Sequence, residues 1–344
     1  MCVNIFQYKR ANVSLSKRDR IMTDIPYLLP PNAVFRTPAP DPNNPKAGDW
    51  VQQWDRTTAL RSFDAVMIGA PFSRSSLSHS GAFLTPSAIR RVLLDFSVYH
   101  SDYDIQLQEL SVCDIGDIAM NILSAEQSHS HIEQAISTVA DSANFIVTLG
   151  GDHSITRPVL SALSHHFGGP LGLVQFDAHH DVRTLENGPN NGTPIRGAIE
   201  RGALRGEYIA QLGIHGCSNS KIYNDWARSQ GIGIYTMRDV RSKGIMDCAT
   251  LAYQQAAQSP HGVYITVDMD VLERSAAPGC PASSPGGLSP WEMFDALFWL
   301  GQQQHIIGID VVEVDPQKDV ADMTVKATCL ALLSFLAGKI AAKH

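Results

Sequence analysis

Apolar and polar positions change rhythm along this chain near Phe63. Beyond it, short apolar runs recur at residues 65–69, 145–150, 171–176, 208–214, 231–235, 262–267 and 306–312. They are near-continuous and rich in β-branched residues, as strands buried on both faces of a parallel sheet must be. Between them, apolar residues recur at helical spacing over 87–96, 130–143, 156–166, 289–301 and 321–342. This alternation predicts an α/β fold: three layers, α/β/α, around a central, mostly parallel sheet. The last helix, with apolar Val325, Leu330, Leu333, Phe335 and Leu336, is expected to pack on that sheet.

The first 60 residues follow another rule. Pro26, Pro30, Pro31, Pro38, Pro40, Pro42 and Pro45 fall within 23 residues. Proline fixes φ and lacks the amide donor, so this stretch reads as an extended arm before a catalytic domain at 61–344.

Composition narrows the function classes. The 344 residues are 44% hydrophobic and 18% charged, with net charge −7, which suits a folded globular chain and not a dedicated nucleic-acid binder. No apolar stretch in the sequence approaches the ~18 residues that span a bilayer, and the N-terminus lacks an apolar signal core. Cys2, Cys113, Cys217, Cys248, Cys280 and Cys329 form no CxxC pair, so reduced thiols in a cytoplasmic protein are expected.

In an open parallel sheet, chemistry gathers beyond the carboxyl ends of the strands. Three of those ends read Gly150-Gly151-Asp152-His153-Ser154, Asp177-Ala178-His179-His180-Asp181 and Asp268-Met269-Asp270. The two-residue spacings of Asp177, His179 and Asp181, and of Asp268 and Asp270, place each set on one side of an extended backbone. Carboxylates converging on one sheet edge repel unless cations neutralise them, and two adjacent divalent ions can do so while activating water. A donor set of four Asp and two His without thiolate suits Mn²⁺ best, with Ni²⁺ as the alternative.

These three motifs resemble the metal motifs of the ureohydrolase (arginase–agmatinase) family, and the resemblance extends over most of residues 63–340. It implies an arginase-type fold, a binuclear centre and a trimeric or hexameric assembly. It also implies that His153, Asp177, Asp181 and Asp268 hold one ion. His179, Asp177, Asp268 and Asp270 would hold the other, with Asp177 and Asp268 shared. Glu313, in Val312-Glu313-Val314-Asp315-Pro316, matches the family residue that pairs with the amidine or guanidine of the substrate. A planar cation with paired N–H donors suits a carboxylate.

The implied reaction is hydrolysis of a linear amidine C–N bond, with Asp181 or the shared carboxylates taking a proton. Asn190 and Asn191 stand where related enzymes often carry a proton-shuttling His. His180, His215 and His79 are the substitutes considered. Residues 73–82 and 191–194, Ser218-Asn219-Ser220 and residues 277–281 are most similar to the Bacillus-type formimidoylglutamases of histidine degradation. Those enzymes convert N-formimidoyl-L-glutamate to L-glutamate and formamide. A glutamate-derived substrate needs cationic partners for its carboxylates. Arg74 and Arg183 are the candidates, with Asn191 and His215 as further contacts; His215 stands where relatives carry Arg. Were both arginines to point away, a nickel-dependent hydrolase of guanidine, a substituted guanidine or a biguanide such as metformin would fit better. A catalytically silent subunit serving a paralogue and a single-zinc deacetylase of related architecture are the readings from other classes. The intact ligand set speaks against both.

Overall fold

A computed structural model describes Leu28–Leu29 and residues 41–344. Its strands are β1 (Leu28–Leu29), β2 (Gln52–Gln53), β3 (Ala65–Gly69), β4 (Tyr99–His100), β5 (Ile105–Gln106), β6 (Val112–Ile118), β7 (Ile146–Leu149), β8 (Leu171–Phe176), β9 (Leu204–Ile214), β10 (Gly233–Thr236), β11 (Val263–Asp268) and β12 (Ile306–Val312). Strands β4 and β5 form a separate antiparallel pair. The others make one ten-stranded sheet in the order β1-β6-β3-β7-β12-β11-β8-β9-β10, with β2 also pairing with β6. Every pairing in it is parallel except β1 with β6.

The order carries the functional consequence. The chain runs from β7 to β8 across a gap that β11 and β12 later fill. The carboxyl ends of four strands distant in sequence therefore lie side by side, where open α/β sheets bind ligands.

Helices cover both faces. On one side Thr85–Val92, Met237–Lys243, Ile245–Ala256, Pro290–Gly301 and Met323–Ala341 bury their apolar faces against residues such as Met67, Val174 and Ile309. On the other, Ala125–Ala140, Thr156–Phe167, Pro194–Glu200 and Lys221–Ser229 pack on Val66, Leu173 and Tyr264. The result is the expected three-layer α/β/α architecture. The helix Met323–Ala341 corrects one expectation: its 19 residues are long and apolar enough to cross a membrane. Most of that surface is buried within the protein, against the helix Pro290–Gly301 and the sheet.

The body also begins earlier than residue 61. Ala47 is buried, the Trp50 indole donates to the Leu110 carbonyl at 2.9 Å, and β2 pairs with β6. The prolines up to residue 40 lie outside the described residues.

Strand β6 departs most from the sequence reading, which left it out. Its apolar run is broken by Asp114, Gly116 and Asp117. The structure shows why those carboxylates are tolerated. Arg90, on the helix Thr85–Val92, reaches Asp114 through Nε at 2.6 Å and Asp117 through Nη1 at 2.6 Å, all three side chains being buried. Removing one member of a buried ion group strands the others without water. Arg90→Leu is therefore expected to destabilise the fold by about 3–5 kcal/mol in urea denaturation; a loss below about 1 kcal/mol, the scale of an exposed pair, would show that the group is not holding β6.

Candidate metal centre and its pocket

Each ligand is delivered by a local device. After β7, Gly150 and Gly151 let the chain pass tightly against its neighbours. A Cβ on Gly151 would lie 1.8 Å from the Phe72 carbonyl oxygen, and one on Gly150 would lie 2.5 Å from Val312. His153 follows in a short 3-10 turn whose entry is capped by Asp152. After β8 the chain turns at once, and Asp181 sits in the left-handed region with φ 55°. After β11, Asp268 caps the 3-10 turn Met269–Val271 and accepts the Asp270 amide at 2.8 Å. The ligands thus converge through tight turns. An extended strand of fixed parity, the reason the sequence offered, is not how they meet.

Two groups of donors result: His153, Asp177 and Asp181, and Asp177, His179 and Asp270. His153 Nδ1 lies 2.7 Å from Asp181 Oδ2, 3.1 Å from Asp177 Oδ2 and 3.3 Å from Asp268 Oδ2. His179 Nδ1 lies 2.7 Å from Asp270 Oδ2 and 3.5 Å from Asp177 Oδ1. Asp177 therefore presents one oxygen to each group.

Hydrogen bonding says which atoms are left for a cation. The Thr266 hydroxyl donates to Asp310 Oδ1 at 2.5 Å, so it must accept from His153 Nε2, 2.9 Å away. The imidazole proton then sits on Nε2, and the Nδ1 lone pair points at the carboxylates. His153 Nδ1 and Asp181 Oδ2 are both buried without a hydrogen-bond partner. Meanwhile the outer lone pairs are already satisfied. Asp177 Oδ1 accepts the His179 amide at 2.6 Å, and Asp270 Oδ1 accepts the Ala178 amide at 2.9 Å.

The electrostatics agree. Burial alone would lower His179, but the Asp270 charge overrides it and lifts the imidazole to about 12. Burial would likewise lower His153, and the Asp181 charge drives it well above its ordinary value. Burial, with the neighbouring Asp177, pushes Asp181 up to about 6. The cluster calls for positive charge at its centre. The all-oxygen-and-imidazole donor set fits two divalent cations. Cys280 is buried, with Sγ 3.8 Å from Asp268 Oδ1, and does not enter either donor group.

A pocket of about 400 Å³ opens onto the cluster. Its walls include His179, Asp181, Asp268 and Asp270 together with Glu313, Asn191, Arg183, Ser218, Asn219, Ser220 and Tyr223. Glu313 has φ 64°, and its Oε1 accepts the His153 amide at 2.8 Å and the Asn191 side-chain amide at 3.0 Å. Burial and the nearby Asp152 push its carboxyl up to about 8. Arg183 reaches the pocket because position 192 is glycine: a Cβ there would lie 2.6 Å from Arg183 Cδ.

The structure sorts the remaining predicted residues. Arg74 does not line this pocket. His215 lines a separate cavity of about 680 Å³, with Nδ1 against the Gly213 carbonyl at 2.7 Å. His180 lines that second cavity too and bonds to Gln211. His79 accepts through its carbonyl from Lys318 and is absent from the pocket wall. Four supporting residues went unread: Gln175, Gln211, Thr266 and Asp310. Their signal was there, since each is a polar residue inside an otherwise apolar buried strand and needs a partner. Tyr223 was missed although its short helix, Lys221–Ser229, shows a helical apolar rhythm in Ile222, Tyr223, Trp226 and Ala227 and a Ser220 cap.

Comparison with known proteins places this geometry. The Arginase family model matches residues 63–338. A formimidoylglutamase of Halalkalibacterium halodurans is 40% identical, over 92% of this chain and 98% of its own length. That of Bacillus subtilis is 36% identical, over 92% and 98%. The crystal structure of the Bacillus subtilis formimidoylglutamase superimposes with a TM-score of 0.83, covering 88% of this chain and 94% of the other. The human mitochondrial guanidino acid hydrolase is 31% identical, over 78% and 76%. The family match over residues 63–338 and these relatives show that the chain belongs to the arginase family, as a metal-dependent hydrolase of amidine C–N bonds.

Proposed function

We propose that this chain is a formimidoylglutamase, cleaving N-formimidoyl-L-glutamate to L-glutamate and formamide with two divalent ions, Mn²⁺ in preference to Ni²⁺. The observation that carries the reading is a pocket whose wall combines two chemistries. Glu313 and the metal-ligand carboxylates suit an amidinium; Arg183 and a set of hydroxyl and amide groups supply partners for carboxylates. The similarity to formimidoylglutamases over most of the chain supports the same substrate.

Residue roles follow. His153, Asp177, Asp181 and Asp268 would hold one cation, and Asp177, His179, Asp268 and Asp270 the other. Two divalent cations bound there would lower the pKa of water from 15.7 toward about 7 and polarise the amidine group under attack. Glu313 orients the amidine. Its Oε1 is committed to His153 and Asn191, and Oε2 accepts no hydrogen bond from the described residues. That oxygen is the one offered to substrate N–H groups. Asp181, which lines the pocket, takes the proton that water gives up and passes it toward the leaving nitrogen. Asn191 carries no titratable proton; it ties Glu313 to the loop at Leu77, whose amide donates to Asn191 Oδ1 at 2.9 Å.

Three results test this. Asp177→Ala should lower bound metal below two equivalents by elemental analysis and abolish formamide release; full activity would remove Asp177 from the centre. Glu313→Gln keeps an oxygen for the two amides but loses the charge. About 2–3 kcal/mol of charge-assisted bonding is then forfeited, and kcat/KM should fall about 30–150-fold. Unchanged kinetics would move amidine recognition elsewhere. Arg183→Ala should raise KM for formimidoylglutamate by about 10–150-fold, from ~1.5–3 kcal/mol. It should leave hydrolysis of an uncharged-tail amidine alone; equal KM values for parent and variant would refute the carboxylate role.

A further inference from the structure

His180 is unused by the chemistry above, yet it is 1% exposed and ends a chain of side-chain hydrogen bonds that reaches Asp177. The polarity of that chain is fixed from its far end. A carboxylate oxygen can only accept, so the Gln175 atom 2.7 Å from Asp177 Oδ2 is the amide nitrogen. Gln175 Oε1 must then accept, and Gln211 Nε2 donates to it at 2.8 Å. That turns Gln211 Oε1 outward, 2.7 Å from His180 Nδ1, so this ring nitrogen carries a hydrogen. Reversing any one amide would bring two acceptors face to face among residues that are fully buried. The rest of the chain is braced. Gln211 Nε2 also donates to the His180 carbonyl at 2.9 Å, and the His180 amide donates to Asn219 Oδ1 at 2.9 Å.

We propose that His180 is a positioning residue: through Gln211 and Gln175, its Nδ1–H locks the rotation of the Asp177 carboxylate that gives one oxygen to each cation. The inference rests on the reading of Asp177 as the shared ligand. The oxygen facing His153 is the one that Gln175 holds, and the other is held by the His179 backbone amide. Without the first restraint the carboxylate can turn about its terminal bond, and the shared arrangement is lost. The charge on the imidazole does not enter, since both the Nδ1–H tautomer and the cation supply the required donor.

The test compares three proteins with Mn²⁺ alone as the probe. His180→Phe removes the donor and keeps a ring. His180→Asn places an amide nitrogen near the former Nδ1 and restores it. Chelator competition should show Mn²⁺ binding weakened by about 10–100-fold in His180→Phe and close to the parent in His180→Asn. Activity of His180→Phe should recover in excess Mn²⁺ with KM for the substrate unchanged. Equal affinity in parent and His180→Phe overturns the proposal. So does equal weakening in both variants, which would mark a packing role. If His180→Phe does not fold, nitrogen-resolved NMR of the parent decides: a hydrogen on Nδ1 of His180 is required, and an Nε2–H tautomer refutes it. A parent that binds fewer than two Mn²⁺ would instead sink the reading of Asp177 itself.

Discussion

The constraint on which this structure turns is the mutual repulsion of carboxylates gathered, largely dry, at one edge of the sheet. Asp177, Asp181 and Asp268 all bring an oxygen within 3.3 Å of the same imidazole nitrogen. Water does not screen them, so their repulsion is far larger than at a surface. The fold answers in two layers. Backbone amides of Ala178, His179 and Asp270 satisfy the outward lone pairs, and the inward ones are left for cations. In the second layer, neutral side chains are the ones that touch the donors. Gln175 braces Asp177, while Thr266 and Asp310 settle which nitrogen of His153 faces the ions. A carboxylate relayed through a hydroxyl to a ligand imidazole raises its basicity without adding another charge beside the metals.

Meeting that constraint is costly for the backbone. Among the described residues six non-glycines have positive φ, and two of them, Asp181 and Glu313, line the pocket at the acidic cluster. Each such residue costs on the order of 1–3 kcal/mol, which the packing of the surrounding strands must offset. The sheet order makes this feasible. Strands β11 and β12, inserted between β7 and β8, hold the turns on both sides of the cluster, and the glycine pair after β7 lets β12 lie close enough for Glu313 to meet His153.

What could be read in advance, and what could not, divides along physical lines. Strands β8 and β12 are legible residue for residue because each is apolar on both faces but for a single buried polar residue, Gln175 and Asp310. Strand β6 is not, because its aspartates are solvated by Arg90, and a partner 24 residues away leaves no local trace. The helices Pro194–Glu200, Lys221–Ser229, Met237–Lys243 and Ile245–Ala256 were also unread; the first three are short, and capping by Ser220 and Thr236 marks two of them more clearly than periodicity does. At the site, the chemistry of the residues pointed to a cluster that the structure does bring together, although the geometric reason attached to it, alternation along a strand, gives way to turns. His180 shows the limit most plainly. Its place in the sequence suggested a proton shuttle, whereas in space its ring meets Gln211, which leads through Gln175 to Asp177.

The pocket's selectivity follows from the same economy of charge. With the acidic cluster in its wall, an anionic substrate would be repelled unless its carboxylates met a cation. Among the described lining residues, the one guanidinium is Arg183, anchored by its backbone amide to the Gly192 carbonyl at 2.9 Å and 5.9 Å from the Tyr223 ring. The loop at residues 73–81 is tied to the same frame. Ser75 donates to Asp152, Leu77 to Asn191, and Gly81 to Asp315. Each anchor sits within two residues of a metal ligand or of Glu313, or is itself bonded to Glu313. The wall that selects the substrate and the centre that attacks it are therefore fixed to one another through backbone donors. A substitution that loosens this loop should change where the amidine lies relative to the cations, and so act on turnover as well as on binding.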